Sequence, residues 1–142
     1  MKRLILSVAL MLVAIDTCNV FIPCERVVVE ERESPDEWEV FIKAMIWVES
    51  RGDSLAVGAG GDVGILQITP IMVAEANRLG GSFTLEERRS AKKSREIFDI
   101  VQNHHNPRHD FSRACRIWNP GAGEWYEERI MRKFREMVQQ YQ

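Results

Sequence analysis

A glycine-rich turn, Gly58-Ala59-Gly60-Gly61-Asp62-Val63-Gly64, follows shortly after an apolar helical stripe that ends on an acid, Glu49. This junction limits what the chain can build. Trp38, Ile42, Met45 and Glu49 are spaced 4, 3 and 4 residues apart, so they share one face of any helix they occupy. A carboxyl on an apolar face loses hydrating water. Desolvation raises its pKa towards the range in which it can donate a proton near neutrality. The plainer alternative is a helix-end glutamate turned out to solvent.

The rest of the chain reads as helices separated by turn signals. Ser34-Pro35-Asp36-Glu37 has a serine suited to an N-cap, proline at the first helical position and glutamate at the third, a capping box that starts the helix carrying Glu49. Gly52 and Asp53 stop it, and the glycines from 58 to 64 suit a turn or short hairpin with positive φ. A second helix starts at Thr69-Pro70 and ends at Gly80-Gly81. Thr84-Leu85-Glu86-Glu87 is another capping box, from which a helical pattern runs through Ser94, Phe98 and Val101 to Asn106-Pro107. Asp110 can cap a short helix with Phe111, Ala114 and Trp118 on one face. Trp125, Ile130, Phe134, Val138 and Tyr141 then recur at roughly helical intervals. The expectation is a mainly α domain with one small glycine-rich loop or β-hairpin, without internal repeats.

A chain of 142 residues allows one domain. Lys2 and Arg3 precede an almost wholly apolar run from Leu4 to Ile15, too short to span a bilayer comfortably but shaped like a secretory leader. Residues 1–20 therefore read as a signal peptide or N-terminal membrane anchor, 21–34 as a linker containing the charged valine segment, and 35–142 as the folded domain. The implied location is the periplasm or cell envelope. The cleavage signal is poor, since Asp16 and Thr17 precede Cys18. Three cysteines are an odd number for an oxidising compartment: Cys18 and Cys24 can pair locally, and Cys115, in a helical pattern, reads as a buried, inert residue. Net charge is -2 with interspersed signs, which gives no field for nucleic acid.

Three blocks carry a resemblance. Ile46-Trp47-Val48-Glu49-Ser50, the segment Gly64-Ile65-Leu66-Gln67-Ile68-Thr69-Pro70, and Ala114-Cys115-Arg116-Ile117-Trp118-Asn119-Pro120-Gly121 stand in the order found in soluble lytic transglycosylase domains. Over about residues 36 to 125 the chain resembles that family of the lysozyme-like superfamily, related to goose-type lysozymes. The resemblance implies a lysozyme-like fold and cleavage of the β-1,4 bond between N-acetylmuramic acid and N-acetylglucosamine in peptidoglycan, by a monomer that needs no cofactor or metal.

It also implies roles for particular residues. Glu49 matches the family's single catalytic glutamate, which protonates the glycosidic oxygen and then activates the muramic C6 hydroxyl to close a 1,6-anhydro ring. Gln67, Ile68, Trp118 and Asn119 fall where substrate contacts are expected, with Ser50 and Gly64 structural beside the site. Trp118-Asn119 replaces the usual Tyr-Asn. The family tyrosine bonds the catalytic glutamate, so the Trp118 indole N–H is the expected substitute, either on that carboxyl or beneath a sugar ring.

Other groups read as structural. Asp53, Asp62 and Glu75 do not stand out as a second catalytic carboxylate. Ser50 has no Gly-x-Ser-x-Gly elbow. His104, His105, His109 and Asp110 have no metalloprotease spacing, and the basic residues from 88 to 95 read as a solvated helix face. Two rival functions stand beside the transglycosylase: a muramidase that hydrolyses the same bond, and a non-catalytic glycan-binding protein on a degenerate lysozyme-like fold.

Overall fold

The computed structural model describes residues 36–141. The leader, the linker, Cys18, Cys24 and the Ser34-Pro35 part of the proposed capping box lie outside the described residues, as does Gln142. Within the described residues no helix is long and apolar enough to cross a membrane.

The helices are α1 (Glu37–Ser50), α2 (Pro70–Arg78), α3 (Ala91–His105), α4 (Phe111–Trp118) and α5 (Glu124–Gln139), with a single 3-10 turn at Glu86–Arg89. The fold is mainly helical, as a lysozyme-like domain requires. Asp36 caps α1 by accepting from Trp38 N–H at 2.9 Å, two residues later than the serine expected from the sequence. Thr69 and Asp110 cap α2 and α4 as anticipated. The helix expected from Thr84 onwards is divided. Glu87 turns back to accept from Thr84 N–H at 2.7 Å, which closes the 3-10 turn, and Ser90 then caps α3 afresh.

The core forms where α1 is buried on nearly every side. Phe41, Ile42, Ala44 and Met45 are wholly inaccessible, as are Leu66, Ile68, Ile97, Phe98, Ala114 and Ile130 from other segments. Each large apolar side chain removed from water contributes about 1.5–3 kcal/mol, so this cluster can hold a few costly polar groups in place. Around the start of α1 the packing is aromatic: Trp38 stacks on His109 with ring centroids 4.4 Å apart, and Phe41 stacks on Phe111 at the same distance. α5 packs along α1, and Tyr126, Ile130 and Phe134 form its buried stripe.

Between α1 and α2 the glycine-rich segment makes two isolated antiparallel bridges, Val57 with Val63 and Val63 with Ile68. One cation fastens it. Arg88, expected on a solvated face, is instead buried and donates from Nη1 to the carbonyls of Gly61 at 3.0 Å and Ile68 at 2.9 Å. Arg95 likewise leaves the solvated face to pair with Glu39 of α1. Gly64 is required for two reasons. Its φ is +86°, and a Cβ there would lie 2.0 Å from the Arg88 carbonyl oxygen.

Candidate active site

Glu49 lies in the last turn of α1 and is half-buried. Its neighbour Ser50 explains why the helix end sits where it does. The Ser50 hydroxyl donates to the Ile65 carbonyl at 2.9 Å and accepts from Gly52 N–H at 3.1 Å, tying the helix end to the glycine segment. Arg51 then takes the left-handed conformation, φ +57°, and its N–H closes on the Trp47 carbonyl. The serine is thus a strap between the first and second sequence blocks.

A phenol holds the carboxyl. Tyr126, in the first turn of α5, donates from its hydroxyl to Glu49 Oε1. Burial pushes the Glu49 carboxyl above the usual glutamate value; the Tyr126 hydrogen bond pulls the other way, nearby Asp62 adds to the rise, and Arg129 opposes it. Desolvation dominates. The same burial, together with the adjoining carboxylate, holds Tyr126 as a neutral phenol well above its ordinary pKa. The pair therefore presents one carboxyl oxygen fixed by a donor and leaves the other for chemistry. A carboxyl of this kind can give a proton to an ether oxygen and stay stable as the anion afterwards.

The residues expected to bind substrate divide into two groups. Asn119 is exposed at the end of α4 and shares with Tyr126 a cavity of about 320 Å³ that Cys115 and Pro120 also line. Gln67 is half-buried with φ +47°. Its amide donates to the carbonyls of Gly64 at 2.9 Å and Ala56 at 3.3 Å, and its Oε1 lies over Gly58 next to the Asp62 carboxylate. Gln67 thus braces the turn.

Two expectations are corrected. Ile68 is not on a groove wall: its side chain is inaccessible, and its backbone bridges Val63 in both directions. Trp118 does not donate to Glu49. The indole is buried edge-on against Phe98, and its N–H donates to the Leu66 carbonyl at 2.9 Å. It fastens α4 to the glycine segment, and the phenol missing from its position comes from Tyr126, eight residues later in sequence. Tyr126 was hidden by an off-by-one stripe, since Trp125 is 53% exposed and the spacing 126, 130, 134 marks the buried face.

The remaining sequence candidates have structural partners. His105 bonds Glu75, whose carboxyl is held down to about 2 by Arg78 and by that histidine, and His109 is stacked on Trp38. Cys115 is buried with a free thiol that burial pushes up to about 12, a value incompatible with a nucleophilic thiolate.

Comparison with known proteins covers the first two sequence blocks and stops before the third. Residues 27–106 match the family profile described as Transglycosylase SLT domain. No curated protein and no solved structure matches the chain. The profile covers more than half of the sequence and includes Glu49, Ser50 and the whole glycine segment that Ser50 ties to it, so the chain belongs to the transglycosylase SLT domain family, whose members act on peptidoglycan glycan strands.

Proposed function

We propose that the protein is an exported peptidoglycan lytic transglycosylase with Glu49 as its single general acid and base. One observation carries this reading: the Glu49 carboxyl, at the end of the first block, is half-buried, raised in pKa by desolvation and oriented by a buried phenol. In the protonated state Glu49 gives its proton to the oxygen leaving as the C4 hydroxyl of N-acetylglucosamine. The substrate's acetamido oxygen bonds C1 of the muramic residue as the glycosidic bond breaks. Glu49, now a carboxylate, takes the proton of the C6 hydroxyl, and O6 displaces the acetamido oxygen to close the anhydro ring. Tyr126 favours the carboxylate formed midway. Asn119 faces the sugar from the α4 end.

The test is digestion of purified peptidoglycan followed by mass spectrometry. Wild-type protein should release 1,6-anhydromuramic ends, and Glu49→Gln should lose about 10²–10⁴-fold in rate with the fold intact. Reducing ends would assign the same carboxyl to a hydrolase. Binding without product would leave a glycan-binding protein. The rate should also fall as pH rises through the Glu49 pKa, with this limb above the ordinary glutamate range.

A further inference from the structure

The loop between α3 and α4 borders a cavity that the chemistry at Glu49 does not use. It holds about 710 Å³, against about 320 Å³ for the cavity beside Tyr126, and its wall includes His104, Asn106, Arg108, Asp110, Arg113 and Arg116. Elsewhere Arg78, Arg89 and Arg95 each pair with a carboxylate, whereas among the described residues Arg108, Arg113 and Arg116 pair with none. Arg113 and Arg116 stand three residues apart on α4 and so share a face. Asp110 is the one carboxylate in the wall, and it is engaged with the backbone, accepting from Arg113 N–H at 2.6 Å. The loop itself is braced from within. Buried Asn106 donates from Nδ2 to the Asp110 carbonyl at 2.9 Å and accepts from Asp110 N–H at 3.0 Å, while His109, at φ +52°, stacks on Trp38. The backbone that presents these cations is therefore set before any ligand arrives, and binding need not order it.

We propose that this cavity binds a phosphate monoester of a polyol. Charge selects the phosphate. Three guanidiniums against one carboxylate leave an excess of two positive charges in the wall, although the chain as a whole carries a net charge of -2. A phosphate monoester carries about -1.5 to -2 at neutral pH and matches that excess, whereas a diester or a carboxylate supplies a single negative charge. Its oxygens also fit the planar fork of a guanidinium, which can hold two of them at once. Size selects the ester: a bare phosphate ion displaces only a few waters, each about 30 Å³, and leaves most of the cavity for the alcohol it esterifies. The His104 ring, set edge-on to His105 with centroids 4.7 Å apart, offers ring nitrogens to hydroxyl groups there. Arg116 also lines the cavity that Asn119 and Tyr126 share, so the site neighbours the acid without including it. It stands whether or not Glu49 cleaves glycan.

The test is calorimetric titration of the full chain with glycerol 3-phosphate, with inorganic phosphate, and with glycerophosphoglycerol as the matching diester. Glycerol 3-phosphate should bind at one site per chain, about fivefold or more tighter than either of the others, with its lead over the diester narrowing at high salt. Arg108→Gln with Arg113→Gln should weaken it about tenfold or more at an unchanged melting temperature, since both side chains are exposed. Arg132→Gln, a charge removed from α5, should leave it as it is. Binding that does not saturate, a diester or inorganic phosphate that binds as tightly, a double variant that binds like wild type, or an equal loss in Arg132→Gln overturns the proposal. Cosedimentation with phosphatidylcholine vesicles containing phosphatidic acid, whose headgroup is the same monoester, then separates two sources of the ligand. Retention that glycerol 3-phosphate displaces, and that the double variant lacks, puts the ester on a lipid; saturable binding of glycerol 3-phosphate without retention puts it on a soluble molecule.

Discussion

The end of α4 and the start of α5 each bury an aromatic ring with one polar hydrogen, and the two hydrogens meet opposite fates. Trp118 donates to the backbone carbonyl of Leu66, Tyr126 to the carboxyl of Glu49. The first bond fastens one segment to another and is complete in itself. The second joins two groups that both titrate, and its strength changes with the proton on Glu49. A buried polar tip on an aromatic ring is therefore no sign of chemistry until its partner is known; Trp118 supports the scaffold, and Tyr126 adjusts an acid.

Substitutions can break this contrast. The largest effect is expected from Trp118→Ala, which empties a core position against Phe98 and leaves the Leu66 carbonyl without its donor. A loss of about 3–5 kcal/mol by denaturant titration is the expected outcome. Next comes Tyr126→Phe, which keeps the ring and removes only the hydroxyl. Stability should change little, while kcat on peptidoglycan falls about 10- to 100-fold, the scale of a hydrogen bond to a charged group. Because that bond favours the carboxylate, its loss should also move the basic limb of the pH–rate profile further up. If Trp118→Phe lowered kcat as much as Tyr126→Phe without destabilising the fold, the division between the two rings would be wrong.

The smallest effect sharpens the picture of Glu49 as a group held against its own solvation. Its folded-state pKa is raised, so the favourable protonated form is fully present below the ordinary glutamate value, and stability is lost as pH rises through the folded pKa. Glu49→Gln removes that burden. The variant should melt a few degrees higher than wild type at neutral pH, and the difference should vanish as pH falls below the ordinary glutamate value. A variant no more stable than wild type at pH 7 would mean that the carboxyl is better solvated than its burial implies.

Much of the helical layout is written in local signals. The α2 and α4 caps at Thr69 and Asp110 stand where their side chains predict, because a cap depends only on residues within one turn. Glu49 is legible for a related reason: an acid at the end of an apolar stripe breaks a pattern. What the sequence concealed depends on distant partners. Arg88 is indistinguishable from its basic neighbours until the Gly61 and Ile68 carbonyls are brought to it, and Ile68 stands beside Gln67 in a block that suggests substrate contacts although its own side chain faces inward. The third block led to Trp118 because a motif fixes the order of residues along the chain, whereas a hydrogen bond to Glu49 can be supplied from any element that packs on α1.

The Tyr126–Glu49 bond spans 77 residues of chain, against 15 for the Ser50 strap. The acid is therefore positioned early and tuned late: α1 and the glycine segment can close over a short loop, but the phenol arrives only when α5 docks. The same order applies in reverse on partial unfolding. If α5 peels from α1, Glu49 regains water and its proton affinity falls back, while the Ser50 strap and the Arg88 clamp still hold the rest together. Catalytic power would then fade at lower temperature or denaturant than the helical signal, and the protein would be disarmed before it is denatured.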